Sequence, residues 1–262
     1  IEFLAKISEP DFGYITNFGK AHLEGFGGVE GVIKGKCELY DYLMPLNKDI
    51  FMNADDSIQR EKLAGYVKKY GYSSHDSKFY KIKLIKADPF LEIEFENLLA
   101  QTKLIGSYNF PNCCAAILIG KYFNVELKTI KTAIENFEPD SNRSQVISKN
   151  GLRIILDAYN ANPTSMKAAL ESFKNLEASS PILFLGDMFE LGESANIEHQ
   201  HIAELTADLG FSNVMLIGEN FYRTESDYQK FRSFDDAKRY LKEHELPKAS
   251  TLLIKGSRGM AL

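Results

Sequence analysis

Two consecutive α/β units, each a mostly parallel sheet with helices packed on it, are what this sequence predicts, and three observations carry the prediction. Short β-rich runs alternate with helically periodic ones along the chain, the pattern of parallel strands joined by crossover helices. The rhythm halts at the polar, proline-containing stretch Glu138-Pro139-Asp140-Ser141-Asn142 and then restarts. The 262 residues suffice for one large domain or two modest ones, since compact domains run about 100–200 residues.

In chain order, residues 1–7 read as an apolar-periodic helix with no capping residue ahead of it. Residues 13–17 form a short β-rich run. In Val29–Leu43, apolar Val29, Val32, Ile33, Leu39, Tyr40 and Leu43 recur at three- and four-residue spacings and predict a helix with one buried stripe, with Lys36 on or beside it. Asp49–Asn53 follows as a strand. Residues 78–95 predict two strands turning at Asp88-Pro89, and residues 109–123 a helix with Asn109 as its cap. A second helix covers 127–137, and a proline two residues later cannot extend it. Beyond the linker, strands are predicted at 153–157, Ile182–Gly186, 214–217 and Thr251–Lys255, with helices at 164–173, 197–209 and 234–244.

Composition narrows the function classes. The chain is 44% hydrophobic and 26% charged, which argues against disorder, a coiled coil or a collagen-like chain. A net charge of −5 gives no basic field to draw it to nucleic acid. The longest apolar stretch, around residues 113–119, is far short of a bilayer span. Cys37, Cys113 and Cys114 are odd in number and two are neighbours, so they form no disulfide framework; they read as ordinary buried thiols of a reducing, cytoplasmic protein.

Neither phosphate-cradling pattern, G-x-x-x-x-G-K-[ST] or G-x-G-x-x-G, occurs. The stretch 15–26 runs from a strand's carboxyl end into a Gly-rich loop carrying His22 and Glu24, where open α/β sheets place their sites. His22 can ligate a metal or move a proton there, or simply cap a turn. Lys36 is unusual on an apolar face, because burying an ammonium costs several kcal/mol. Either it snorkels from the stripe's edge, or it is a neutral amine that takes up carbon dioxide as a carbamate able to ligate Mg²⁺. Asp157 ends a strand before an amide-rich loop, positioned to accept from a ribose hydroxyl or merely to sit among helix caps. The loops at 186–193 and 255–259 also follow strands, so three strand-end loops line one rim. Arg143, Lys255 and Arg258 supply local positive charge for a phosphate or carboxylate, or are solvated cations.

The strings ITNFGKAHLEGF (15–26), GKCELY (35–40), NADD (53–56), YNFPNCCAA (108–116), NRSQ (142–145), DAYNANPTSM (157–166), GDMFELGE (186–193) and KGSRGM (255–260) together resemble the Mur ligases. AHLE within the first, and NADD, are shared more widely with sister ligases and folylpolyglutamate synthases. DAYNANP and GDMFELG resemble, more narrowly, the branch that joins D-alanyl-D-alanine to UDP-N-acetylmuramoyl-tripeptide in peptidoglycan synthesis.

The resemblance implies a central ATP-binding domain over residues 1–139, lacking its start, and a Rossmann-like carboxyl-terminal domain over 140–262, with Leu262 short of the last helix. It implies an ATP- and Mg²⁺-dependent amide ligase, acting through an acyl phosphate and as a monomer. It assigns His22 and Lys36, as a carbamate, to catalysis and magnesium, with Asn17 beside them. Asn109, Asn112, Arg143, Asp157 and Tyr159 would bind the nucleotide. Asn160, Asp187, Lys255 and Ser257 would meet the substrates. Asn142 stands where a glycine commonly precedes the arginine. The family's phosphate-loop lysine and threonine, its acidic magnesium ligand and its UDP-sugar domain are not among these residues, so the piece is expected to be inactive alone. Another Mur-type or folylpolyglutamate-type amide ligase, or a non-catalytic nucleotide-binding protein, are the alternatives.

Overall fold

The computed structural model describes residues 1–140, 142–149, 151–176, 180–248 and 251–262; Ser141 of the linker lies outside them. Its contacts divide the chain into two compact units, residues 1–19 with 26–137 and residues 20–25 with 138–262.

In chain order the first half contains α1 (Glu2–Ser8), β1 (Phe12–Tyr14), α2 (Leu23–Phe26), α3 (Val29–Leu43), β2 (Asp49–Asn53), α4 (Ser57–Lys62), β3 (Lys69–Ser73), β4 (Tyr80–Ala87), β5 (Phe90–Phe95), β6 (Leu98–Ile105), α5 (Phe110–Tyr122) and α6 (Leu127–Asn136). Its sheet keeps sequence order from β1 to β6, parallel from β1 to β4 and antiparallel from β4 to β6. The antiparallel meander follows from the tight turns at 88–89 and 96–97, which can only reverse the chain. Alternation along β2 divides the core: Ile50 and Met52 pack with Tyr40 and Leu43 of α3, while Phe51 faces Cys114 and Ile117 of α5.

Two expectations for this unit change. The β-rich run at 13–17 is a strand only through Tyr14. The Asn17 carboxamide oxygen accepts the Gly19 N–H at 3.0 Å and turns the chain instead. Asn109 does not cap α5 with its side chain; its Nδ2 donates to the Ile105 carbonyl at 2.8 Å, tying the helix start to the end of β6.

The second half contains β7 (Gln145–Lys149), β8 (Leu152–Asp157), α7 (Pro163–Lys174), β9 (Ile182–Gly186), α8 (Ala195–Asp208), β10 (Asn213–Ile217), α9 (Glu219–Tyr222), β11 (Gln229–Phe231), α10 (Phe234–Glu243) and β12 (Thr251–Lys255). Strand order is β11-β10-β9-β12-β8-β7, parallel except for β7 at the edge. β9 is buried along its whole length, which is why it reads as an unbroken apolar run. Phe184, Met215 and Leu252 pack with the α10 side chains Ala237, Tyr240 and Leu241 on one face. Connections run outward from β9 to β11, while β12 inserts between β9 and β8. The crevice outside the carboxyl ends of β8, β12 and β9 is therefore the switch point where such sheets bind ligands.

Candidate active site

In the first unit, α3 carries Lys36 half-buried on its stripe. Gly31 and Gly35 let Phe26 close on α3: a Cβ on Gly31 would lie 1.7 Å from the Phe26 carbonyl oxygen, and one on Gly35 2.3 Å from its ring. Lys36 Nζ donates to the Asn17 carbonyl at 2.7 Å and reaches its carboxamide oxygen at 3.5 Å. Burial pushes its pKa below the usual lysine range. No carboxylate among the described residues pairs with it.

Asn109 and Asn112 meet at the start of α5, where Asn112 Nδ2 lies 3.3 Å from Asn109 Oδ1. The same helix start sits over the sheet's carboxyl edge, because Tyr72 of β3 donates to the Pro111 carbonyl at 3.2 Å and its hydroxyl lies 3.3 Å from that of Tyr14, the last residue of β1. Asp55 and Asp56 have structural tasks. Asp55 takes the Ser73 hydroxyl and, at 2.8 Å, the Ser74 N–H; Asp56 caps α4 through Gln59 N–H at 3.0 Å.

His22 groups with the second unit, whereas Asn17 and Lys36 belong to the first. Its backbone is left-handed, φ 55°, and its Nδ1 pairs with the Glu190 carboxylate. The same segment is held by Lys20 Nζ to Glu198 at 2.6 Å, Lys20 N–H to Thr164 Oγ1 at 2.9 Å and Glu24 N–H to the Glu190 carbonyl at 3.1 Å.

At the switch point, register opposes Lys255 to Asp157. Lys255 is 1% exposed, and its ammonium lies 2.5 Å from Asp157 Oδ2, while Oδ1 accepts the Ser144 N–H at 3.1 Å. Tyr159 lies under Arg143, its ring centre 3.8 Å from the guanidinium carbon, with Arg258 at 5.7 Å. Asn160 is exposed and its carboxamide oxygen accepts the Ala161 N–H at 2.9 Å.

Asp187 faces inward rather than into the crevice. It is 3% exposed, and its carboxylate accepts Asn220 N–H and Phe221 N–H at 2.9 Å each and Asn220 Nδ2 at 3.1 Å. Ser257 is buried beside it, its N–H on the Asp187 carbonyl at 3.1 Å and its hydroxyl accepting the Phe189 N–H at 3.0 Å. Three residues that the sequence does not single out also take part: Glu190 pairs with His22, the Ser144 N–H donates to Asp157, and His199 accepts the Met188 N–H. Glu190 lies within GDMFELGE at 186–193, whereas His199 lies in a helix whose periodicity says nothing of what its ring meets.

Among the described residues no group of three or more His, Cys, Asp or Glu side chains is placed to hold a metal ion, and no helix is long and apolar enough to cross a membrane. All three thiols are free and buried; burial pushes Cys113 up to about 11 and Cys37 and Cys114 also upward.

Two family descriptions match the chain: Mur ligase middle domain over residues 2–120, and Mur ligase, glutamate ligase domain over residues 142–258. UDP-N-acetylmuramoyl-tripeptide–D-alanyl-D-alanine ligase of Bacillus subtilis is 28% identical over 274 residues, covering 100% of this chain and 60% of that protein. The Escherichia coli enzyme of the same name is 26% identical, with 100% and 60% coverage. The chain thus spans about three-fifths of the length of these relatives. Among solved structures, MurF of Acinetobacter baumannii superposes with a TM-score of 0.81 at 25% identity, covering 99% of this chain and 59% of that one. MurF of Thermotoga maritima, solved in complex with ADP, shares the fold at a TM-score of 0.81 and 22% identity, covering 99% and 61%. Two adjoining domain matches in family order, on two α/β units with the strand-end loops where the fold puts its ligands, establish that this chain belongs to the Mur ligase family.

Proposed function

We propose that the chain is the central and carboxyl-terminal part of an ATP-dependent ligase that adds D-alanyl-D-alanine to UDP-N-acetylmuramoyl-tripeptide. The observation that carries this reading is likeness along the entire chain to relatives of that name. In the proposed reaction the γ-phosphoryl of ATP passes to the terminal carboxylate of the tripeptide and ADP leaves. The amine of the dipeptide then attacks the acyl phosphate, and inorganic phosphate departs as the amide forms.

Each unit contributes separately. Asn109 and Asn112 offer amide donors and acceptors to adenine at the start of α5. Asp157 offers a carboxylate to the ribose, Tyr159 a ring beside the nucleotide, and Arg143 a guanidinium to the phosphates. Asn160 is exposed at the crevice where the peptide substrates would enter, while the buried Lys255, Ser257 and Asp187 would act from beneath it, Lys255 through Asp157 and Asp187 through Ser257. Mg²⁺, when bound, neutralises phosphate charge during transfer. As an ammonium, Lys36 is a hydrogen-bond donor and does not fit the ion. Its desolvated amine beside the Asn17 carbonyl does fit carbamate formation, which would give the oxygens Mg²⁺ prefers. His22 would bring Nε2, the nitrogen Glu190 leaves unoccupied.

The test is phosphate release by the full-length protein with ATP, UDP-tripeptide and one of three amines. Turnover with D-alanyl-D-alanine is expected to exceed that with glutamate or diaminopimelate by about 10⁴-fold, the scale on which polar groups left unpaired reject a wrong substrate. Equal rates would overturn the assignment. The 262 residues alone, holding no glycine-rich phosphate cradle, are expected to release phosphate at background in the same assay.

A further inference from the structure

His199, in the first turns of α8, is 0% exposed and touches none of the residues proposed to meet nucleotide or metal. Both ring nitrogens are used. Nδ1 lies 2.6 Å from the Ala195 carbonyl of its own helix and must carry the proton to bond there. Nε2 is then the bare nitrogen, and it accepts the Met188 N–H at 2.9 Å. Since that partner can only donate, both ends of the ring select one neutral tautomer.

The surroundings keep it so. Asp187 Oδ1 is 3.5 Å from Nε2, but the carboxylate is already engaged by the backbone at the start of α9 and by the Asn220 amide. Phe221 closes the other side, its ring centre 4.7 Å away and edge-on. Burial holds the imidazole below its ordinary range, against the pull of Asp187 and Glu198. From Met188 the bonds continue to the rim, as Phe189 N–H meets the Ser257 hydroxyl and Ser257 N–H meets the Asp187 carbonyl. The loops after β9, β10 and β12 are thus tied to one another beneath the crevice.

We propose that His199 is a positioning residue of the ligase, a neutral acceptor whose bond to the Met188 N–H holds the turn after β9 in register with the loop after β12, and so shapes the place where the amine-bearing dipeptide docks. This role rests on the ligase reading; the bond itself does not.

Two measurements separate them. In ¹⁵N-labelled 262-residue chain, imidazole NMR should show His199 with Nδ1 protonated and Nε2 bare at neutral pH, and taking up a second proton only at lower pH than an exposed imidazole does. An Nε2-protonated ring, or titration like an exposed imidazole, would overturn the proposal. In the full-length enzyme, His199→Phe should raise KM for D-alanyl-D-alanine about tenfold, leaving KM for ATP within about twofold, because one buried N–H loses its acceptor at the docking rim. His199→Gln, which restores an acceptor, should return KM to within about threefold of the parent. Equal losses in both variants, or a fall in kcat with KM unchanged, would refute positioning. If His199→Phe does not fold, the Gln variant and the tautomer decide. If the parent ligates no D-alanyl-D-alanine while the tautomer is as expected, the ligase reading has failed and this role with it, though the bond stands.

Discussion

Two lysines leave water by different routes. Lys255 is matched by a carboxylate at 2.5 Å, whereas Lys36 meets only neutral oxygens of Asn17. Asp157→Asn would strand the Lys255 ammonium in the core, and we expect it to lower stability by about 3–5 kcal/mol, read as a lower urea midpoint; adding Lys255→Met should recover most of the loss. Removal of the same carboxylate without loss of midpoint would show the pair to be solvated. For Lys36, ¹³C-bicarbonate should give a carbamate resonance in the full-length enzyme that Lys36→Arg lacks, and its persistence in the variant would place the modification elsewhere. His199 brings a pH dependence. Its folded pKa is depressed, so the unfolded chain binds more protons, and its contribution is whole above about 6.5 and lost below that at up to about 1.4 kcal/mol per pH unit. Urea midpoints taken from pH 7.5 down to 5.5 should therefore fall more steeply in the parent than in His199→Gln. Residue chemistry was only partly legible beforehand. The sequence marked Asp157 and Lys255 as separate ligand contacts, because spacing cannot say that side chains 98 residues apart face each other.

Among the elements, the legible ones carry one strong periodic signal. Val29–Leu43 has a long apolar stripe, and Ile182–Gly186 and Thr251–Lys255 are short apolar runs bounded by polar loops. Strand β3 escapes because Lys69, Gly71 and the tyrosines of KYGYS show neither alternation nor an apolar run; Gly71 is needed there since Phe79 and Met52 close over it. β7 and β11 lie at sheet edges, where one flank is unpaired and the pattern is weak. Turns are stricter than strands. Gly218 has φ 126°, and a Cβ there would lie 2.2 Å from the Asp187 carboxyl carbon. Gly218→Ala combines that clash with left-handed strain and should cost at least about 2 kcal/mol, with chemical-shift changes centred on α9 and the turn after β9. An alanine variant of unchanged midpoint would mean that the Asp187 cap moves freely.

At the scale of the molecule, the parallel order of the second sheet follows from the β/α rhythm, and the switch point follows from that order. The rhythm does not reveal that residues 20–25 group with the second unit, since that depends on side chains such as Lys20 meeting Glu198 far along the chain. Each unit has its own buried clusters, so brief protease treatment should cut first near residues 138–144 and leave two resistant pieces; a first cut inside either sheet would contradict this division. The cysteines offer a way to watch one piece alone. All three lie in the first unit, buried and with their thiolates disfavoured, and residues 138–262 contain none. Alkylation rates in mild denaturant therefore act as a stopwatch for the opening of one half while the other stays chemically silent, in the unaltered chain and without any introduced label.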